Sequence, residues 1–258
     1  MTEALLVDIG NSRIKWARCA DGELRRSQAA PLTGWGRAGY RRRLFGGRRV
    51  PERALISSVA SIEVNRALAS AAREAGIPAE FVKVPDRTGG VTVGYLEPWR
   101  LGVDRFVAAV GAHALFPRLP VCVVGVGTAM TVDLIGPDGR HRGGVIIPAP
   151  ALMVETLLAR THGIRRRARG GTSGAAGLFG RSTRAGLVQG ARYAAAALID
   201  RAVQEARALI GRKPLVVMHG GEAAAVRPLV QSPCVRVPEL VLRGLAVLAQ
   251  APHRPRRP

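Results

Sequence analysis

Lysine is nearly absent from this sequence. The 258-residue chain has three (Lys15, Lys83 and Lys213) against thirty-six arginines, and its 39 basic residues outnumber 18 acidic ones for a formal net charge of +21. A charge of that size raises the question of a nucleic-acid partner. Aromatic residues make up only 4% of the chain, however, so the stacking platforms of single-strand binders are scarce. Zinc-finger spacing and an RRM signature are both missing, and the arginines are spread over the whole chain. These features speak against nucleic acid, and an arginine-for-lysine compositional bias accounts for the excess. The net charge alone keeps such contact open.

Cysteine is scarce as well. Cys19, Cys122 and Cys234 are odd in number and far apart, which argues against a disulfide framework or a zinc site and suits a reducing, cytoplasmic setting. No apolar run is long enough to span a bilayer. The opening "MTEALLVDIGNS" has no basic n-region and no cleavage site, so neither a signal peptide nor a membrane partner is expected. A GxxxxGK[ST] motif is absent, which excludes a P-loop enzyme, and no GxGxxG follows a strand, which argues against a dinucleotide fold.

The hydrophobic fraction, 47%, supports a sizeable core in one large domain or two small ones. Patterning predicts strands at 4–9, 12–18, 23–29, 52–60 and 79–84, with helices at 62–77 and 103–116. A second block opens with "PVCVVGVGTAMTVDLI" (120–135), continues through the strand "RHRGGVIIP", and adds helices near 150–160 and 183–210. The stretch "KPLVVMHGGEAAAV" reads as strand, Gly-Gly turn and helix start, and "VPELVLRGLAVLAQ" as a closing helix. Both blocks begin with a strand, a small-residue turn and a strand. The pattern predicts an internally duplicated α/β protein with a cleft between two similar halves, 1–117 and 118–252, followed by a basic tail at 253–258. Segments 44–49 and 165–177 are expected to be loops.

Four stretches carry chemistry. In "LLVDIGNSRIKWA", Gly10 admits backbone N–H groups to an anion, Asn11 and Ser12 add donors, Lys15 adds a cation, and Asp8 suits a magnesium ion bound through water. A plain Gly-Asn hairpin is the alternative. In "GVGTAMT" (125–131), Gly127 and Thr128 offer the same service to phosphate oxygens. Gly220 and Gly221 would let an adenosine lie against the backbone, or simply make a tight turn. Asp104 and Arg105 open an apolar helix, where an aspartate is either a dipole partner or a general base beside an arginine for an anionic group. The histidines give little signal: His113 lies in an apolar helix and His219 beside a turn.

Taken in order, Asp8-x-Gly-Asn-Ser with Lys15, Gly94-Tyr95, Gly102-Val103-Asp104-Arg105, and Gly127-Thr128-x-x-Thr131-x-Asp133 resemble type III pantothenate kinase. "GGVIIP" (143–148), "GRST" (180–183) and "HGGEA" (219–223) extend the resemblance over residues 4 to 250. It implies an α/β chain of two actin/hexokinase-like (ribonuclease H-like) halves that phosphorylates pantothenate with Mg-ATP, the first step of coenzyme A synthesis. It implies ATP contacts at Asp8, Ile9, Gly10, Asn11, Ser12, Arg13, Ile14, Lys15 and Thr128. It implies pantothenate contacts at Tyr95, Gly102, Val103, Asp104, Arg105 and Thr183, with Asp104 as proton acceptor, and a homodimer. The family's usual aspartate for a monovalent cation, potassium or ammonium, is replaced by Gly125, so weak or absent potassium activation is expected. Two rivals remain: a non-catalytic relative acting as a regulatory or binding protein, and a kinase of the same fold for another small hydroxyl substrate.

Overall fold

The computed structural model describes residues 3–47, 50–170 and 177–250. They form two compact units, one of residues 3–118, 138–141 and 239–250, the other of 119–137 and 142–238. In the first, β1 (Glu3–Ile9) and β2 (Arg13–Ala20) make an antiparallel hairpin across the Gly10–Ser12 turn. The short strands β3 (Glu23–Leu24) and β4 (Gln28–Pro31) pair with β2. Helix α1 (Arg37–Tyr40) runs into a π-helical turn, Arg41–Phe45. Strand β5 (Arg53–Ser58) lies parallel to β1, and after α2 (Ile62–Glu74) strand β6 (Ala79–Phe81) lies parallel to β5. A small hairpin, β7 (Arg87–Thr88) with β8 (Val91–Thr92), precedes α3 (Val103–Leu115).

The second unit repeats this plan. Strands β9 (Val121–Val126) and β10 (Ala129–Ile135) are an antiparallel hairpin flanked by β11 (His141–Pro148). Helices α4 (Pro150–Arg160), α5 (His162–Arg167) and α6 (Thr183–Ile210) follow. Strand β12 (Leu215–His219) then lies parallel to β9, and after α7 (Ala223–Val226) strand β13 (Cys234–Arg236) lies parallel to β12. The sheet orders, β3-β2-β1-β5-β6 and β11-β10-β9-β12-β13, are the same series of positions. Duplication expected from the sequence is therefore visible in the pairing. Helix α8 (Leu240–Gln250) closes the chain and packs on α3, β1 and β5.

Period-two alternation sets the faces of each sheet. Leu5, Val7 and Ile9 of β1 join Ile14, Trp16, Tyr40, Leu68 and Ala72 in one core under α1 and α2. Leu6 and Asp8 alternate with them onto the face covered by α3 and α8. In the second unit Cys122, Val124, Val126, Met130 and Val132 pack with Ala195, Ile199 and Val203 of α6. Each such fully buried aliphatic side chain stabilises the fold by about 1.5–3 kcal/mol relative to exposure. Helix α6 starts where its caps require: Ser182 Oγ accepts the Ala185 N–H at 3.1 Å, and Gly211 ends it at φ +76°.

Several expectations are revised. Residues 165–167, expected in a loop, form the last turn of α5; residues 171–176 lie outside the described residues. Leu44 and Phe45, also expected in a loop, are buried in the first core, because the π-helical turn carries them under the sheet beside Tyr40; residues 48–49 are not described. The closing helix, placed by sequence in the second half, belongs to the first unit, where its apolar stripe covers the sheet. The strand at 79–84 stops at Phe81, and 23–29 is two short strands. The tail at 253–258 lies outside the described residues. No helix among the described residues is long and apolar enough to cross a membrane.

Helices α3 and α8 cross at backbone contact. A Cβ on Gly244 would sit 1.9 Å from the Val107 carbonyl oxygen, and one on Gly111 would sit 2.7 Å from the Leu240 carbonyl oxygen. Gly244→Ala therefore forces the helices apart and is expected to cost about 2 kcal/mol or more. Urea denaturation of the variant beside wild type measures the loss, and an unchanged midpoint would contradict the crossing.

Candidate functional site

The first candidate site grows from the alternation of β1. Asp8 lies in register with Lys15 on β2 and Ser57 on β5, so all three point to the face covered by α3 and α8. The starts of those two helices bring Asp104 and Glu239 to the same place. Lys15 Nζ is 3.5 Å from Glu239 Oε2, an ion pair without a hydrogen bond. Glu239 stands at φ +57°, a left-handed conformation rare outside glycine, Asn and Asp. Burial pushes the Asp8 carboxyl up to about 7; Lys15 opposes the rise, while Asp104 and Glu239 add to it. Ser57 is fully buried, and its hydroxyl has no hydrogen-bond partner among the described residues.

The turn itself is closed by Gly10 N–H donating to the Arg13 carbonyl at 3.0 Å. Asn11, Ser12 and Arg13 are exposed. Ile9 and Ile14, members of the expected ATP segment, bury their side chains completely in the core. Only their main chain is left to meet a ligand.

A second group gathers at the start of α3. Gly102 is the N-cap, and a Cβ there would crowd Asp104 Oδ1 to 2.8 Å. Asp104 Oδ1 accepts the Arg105 N–H at 2.9 Å, which holds the carboxylate at the positive end of the helix. Arg105 is 9% exposed. Its Nη1 donates to Tyr95 Oη at 3.3 Å, and its guanidinium carbon stands 6.0 Å from that ring's centroid. The Tyr95 ring packs 5.4 Å from the buried His141. Tyr95, Asp104 and Arg105, separated by up to ten positions in sequence, are thus one cluster. Sequence reasoning missed Glu239 and His141. Each sits just outside a recognisable motif, and neither carries a spacing signal of its own.

The remaining expected residues are in the second unit. Thr128 is exposed in the β9–β10 turn, where Gly127 N–H donates to the Ala129 carbonyl at 3.0 Å and the Thr128 carbonyl accepts the Ala149 N–H at 3.2 Å. Thr183 is the first residue of α6. Gly220, at φ +98°, folds the β12–α7 turn against Val126, and Glu222 N–H donates to the Val126 carbonyl at 3.2 Å. Glu222 Oε2 in turn accepts the Ala151 N–H at 3.2 Å near the start of α4.

Among the described residues no three metal-type side chains lie close enough to hold a metal ion unaided. A magnesium ion fits here only as the family of phosphate enzymes uses it, with one carboxylate and the phosphate's own oxygens. Asp8 is a carboxylate of the kind such an ion would use, and Asp104 and Glu239 nearby add negative charge to its surroundings.

The pH response of Asp8 follows from its burial. Unfolded, the carboxyl titrates near 3.8; folded, near 7. The folded chain therefore holds an extra proton between those values, and this group's contribution to stability is greatest below the lower one and is lost as pH rises through the upper one. Asp8→Asn removes the titration. In magnesium-free and nucleotide-free buffer the variant is expected to melt above wild type at about pH 8, with the two converging near about pH 4. Melting curves across that range test the sign, and a constant difference would contradict it.

The family model described as type III pantothenate kinase matches residues 4–205. The type III pantothenate kinase of Stenotrophomonas maltophilia is 35% identical over 252 residues, covering 97% of this chain and 98% of that one. Among solved structures, a conserved Baf family protein from Campylobacter jejuni superposes at a TM-score of 0.61, with 18% identity over 96% of this chain and 98% of that one. Component A of the (R)-2-hydroxyglutaryl-CoA dehydratase of Acidaminococcus fermentans superposes at 0.55, with 12% identity over 96% of each. The two repeated sheets and these likenesses identify the actin/hexokinase-like ATPase fold. With most of its length matched by the family model and a relative above 30% identity along nearly its whole length, the chain belongs to the type III pantothenate kinase family.

Proposed function

We propose that this chain transfers the γ-phosphoryl group of ATP to the primary hydroxyl of pantothenate, with Asp104 as general base. The observation that supports it most is the gathering of Asp8, Lys15, Asp104, Arg105 and Tyr95 in one unit of a chain of this family. Asp104 accepts the hydroxyl proton as that oxygen attacks the γ-phosphorus; the bond to the bridging oxygen breaks and ADP leaves. Arg105, backed by Tyr95, binds the substrate's anionic end, with Gly102 and Val103 shaping the approach and Thr183 adding a contact. Lys15 and the Gly10–Arg13 turn neutralise phosphate charge, and Thr128 contacts the nucleotide. Magnesium, bound through Asp8 and phosphate oxygens, supplies further charge neutralisation when present.

Gly125 offers no carboxylate, so in this reading the enzyme has no potassium requirement. The chain acts as a homodimer in the cytoplasm, a setting consistent with three free cysteines, two of them buried. ADP release with Mg-ATP is expected to need pantothenate, to be activated weakly or not at all by potassium, and to fall by about 10²–10⁴ in Asp104→Asn. Turnover without pantothenate, or full activity in the variant, would contradict the assignment. Strong potassium activation would contradict the reading of Gly125.

A further inference from the structure

Because the two sheets share one strand order, each position in the first has a counterpart in the second. Asp8-Ile9-Gly10 at the end of β1 corresponds to Gly125-Val126-Gly127 at the end of β9. Asp8 is flanked in register by Lys15 and Ser57. Gly125 is flanked by Thr131 on β10 and His219 on β12. The second unit thus has neither the carboxylate nor the lysine of the first. Its ionisable side chain stands on the opposite neighbour, where the first unit has serine.

Residues directly opposite one another across adjacent strands share a face. Here it is the face turned away from the α6 core, since Val124, Val126, Met130, Val132 and Met218 alternate onto the other side. The glycine leaves room above its strand, and its two neighbours lean into that room. A Cβ on Gly125 would lie 3.0 Å from His219 Nε2, 3.3 Å from His219 Cε1 and 3.1 Å from Thr131 Oγ1. An imidazole nitrogen and a hydroxyl therefore converge over Gly125, two residues before Gly127 and Thr128. All three residues are half-buried, and Gly127 and Thr128 are exposed, so a solvent-borne anion can reach the spot.

We propose that His219 is a nucleotide-phosphate-binding residue of the second unit. Its Nε2–H donates to a phosphate oxygen, the Thr131 hydroxyl is a second donor, and Gly125 is the glycine that lets the imidazole reach. This rests on the assignment of the β9–β10 turn to ATP made above. A hydrogen bond to a charged group is stronger than one between neutral partners, so its removal has a measurable effect on binding.

Calorimetric titration with Mg-ADP needs no turnover and tests the proposal directly. His219→Ala is expected to weaken Mg-ADP about tenfold or more. Free imidazole in the buffer restores part of the loss, and His219→Gln, which keeps an N–H donor, retains most of the affinity. Gly125→Ala, which displaces the imidazole, weakens Mg-ADP as well, while all three variants unfold near the wild-type temperature. In turnover assays KM for Mg-ATP rises and KM for pantothenate does not. Unchanged Mg-ADP affinity in His219→Ala, or a loss that neither imidazole nor glutamine repairs, would overturn the proposal, as would a wild-type chain that binds no Mg-ADP. His219-dependent Mg-ADP binding without pantothenate phosphorylation would instead overturn the substrate assignment and leave His219 standing. Pantothenate turnover with Mg-ADP affinity indifferent to His219 would do the reverse.

Discussion

The backbone contact between α3 and α8 is the constraint on which the first unit's site depends. Gly111 and Gly244 let the two helices touch with no side chain between them. That close crossing allows both to lie on one face of a five-position sheet, over β1 and β5. Their N-terminal ends then deliver Asp104 and Glu239 to the end of β1, where alternation has already turned Asp8 and Lys15 toward them. A bulkier residue at the crossing would move both helix starts. The chemistry at Asp8 is thus held in place by two glycines that carry no chemistry themselves.

Electrostatically, that place is set against an ionised Asp8. Burial disfavours the charged carboxylate, one lysine favours it, and two further carboxylates oppose it. Lys15 is itself shared with Glu239. A cation brought in with a polyphosphate would reverse the balance, since it favours the ionised carboxylate while Lys15 answers the phosphate. The exposed arginine pairs contribute far less. Arg37 with Glu74 and Arg201 with Glu205 are solvent-exposed bridges of the kind worth about 0–1 kcal/mol. Arg105, buried and bound to Tyr95, is where the arginine richness meets the site.

Duplication produced two sheets with one plan and two different ends. The first retains a carboxylate and a lysine; the second has a glycine, a threonine and a histidine at the matching positions. The divergence is legible only through the pairing register. In sequence, Gly125 is a glycine of the second turn and His219 a residue beside a turn, and 94 positions separate them. In the sheet they are neighbours, and the missing side chain of one is the space used by the other.

Local physics made much of the protein readable from the chain alone. Period-two strands, the Ser182 and Gly211 helix limits, and the repeated strand–turn–strand openings are properties of neighbouring residues, and they carried the two-unit α/β plan; the chemistry of Asp8, Lys15, Asp104, Arg105 and Thr128 pointed to them as candidates, and only the family resemblance added Tyr95. Contacts between distant segments were decided only by the tertiary structure. The return of α8 to the first unit, the burial of Leu44 and Phe45, the helical state of 165–167, and the arrival of Glu239 beside Lys15 and His141 beside Tyr95 all depend on which surfaces meet. The physical reason is that burial, and the charge environment it creates, belongs to packed pairs of elements, and no single stretch of sequence contains both members of such a pair.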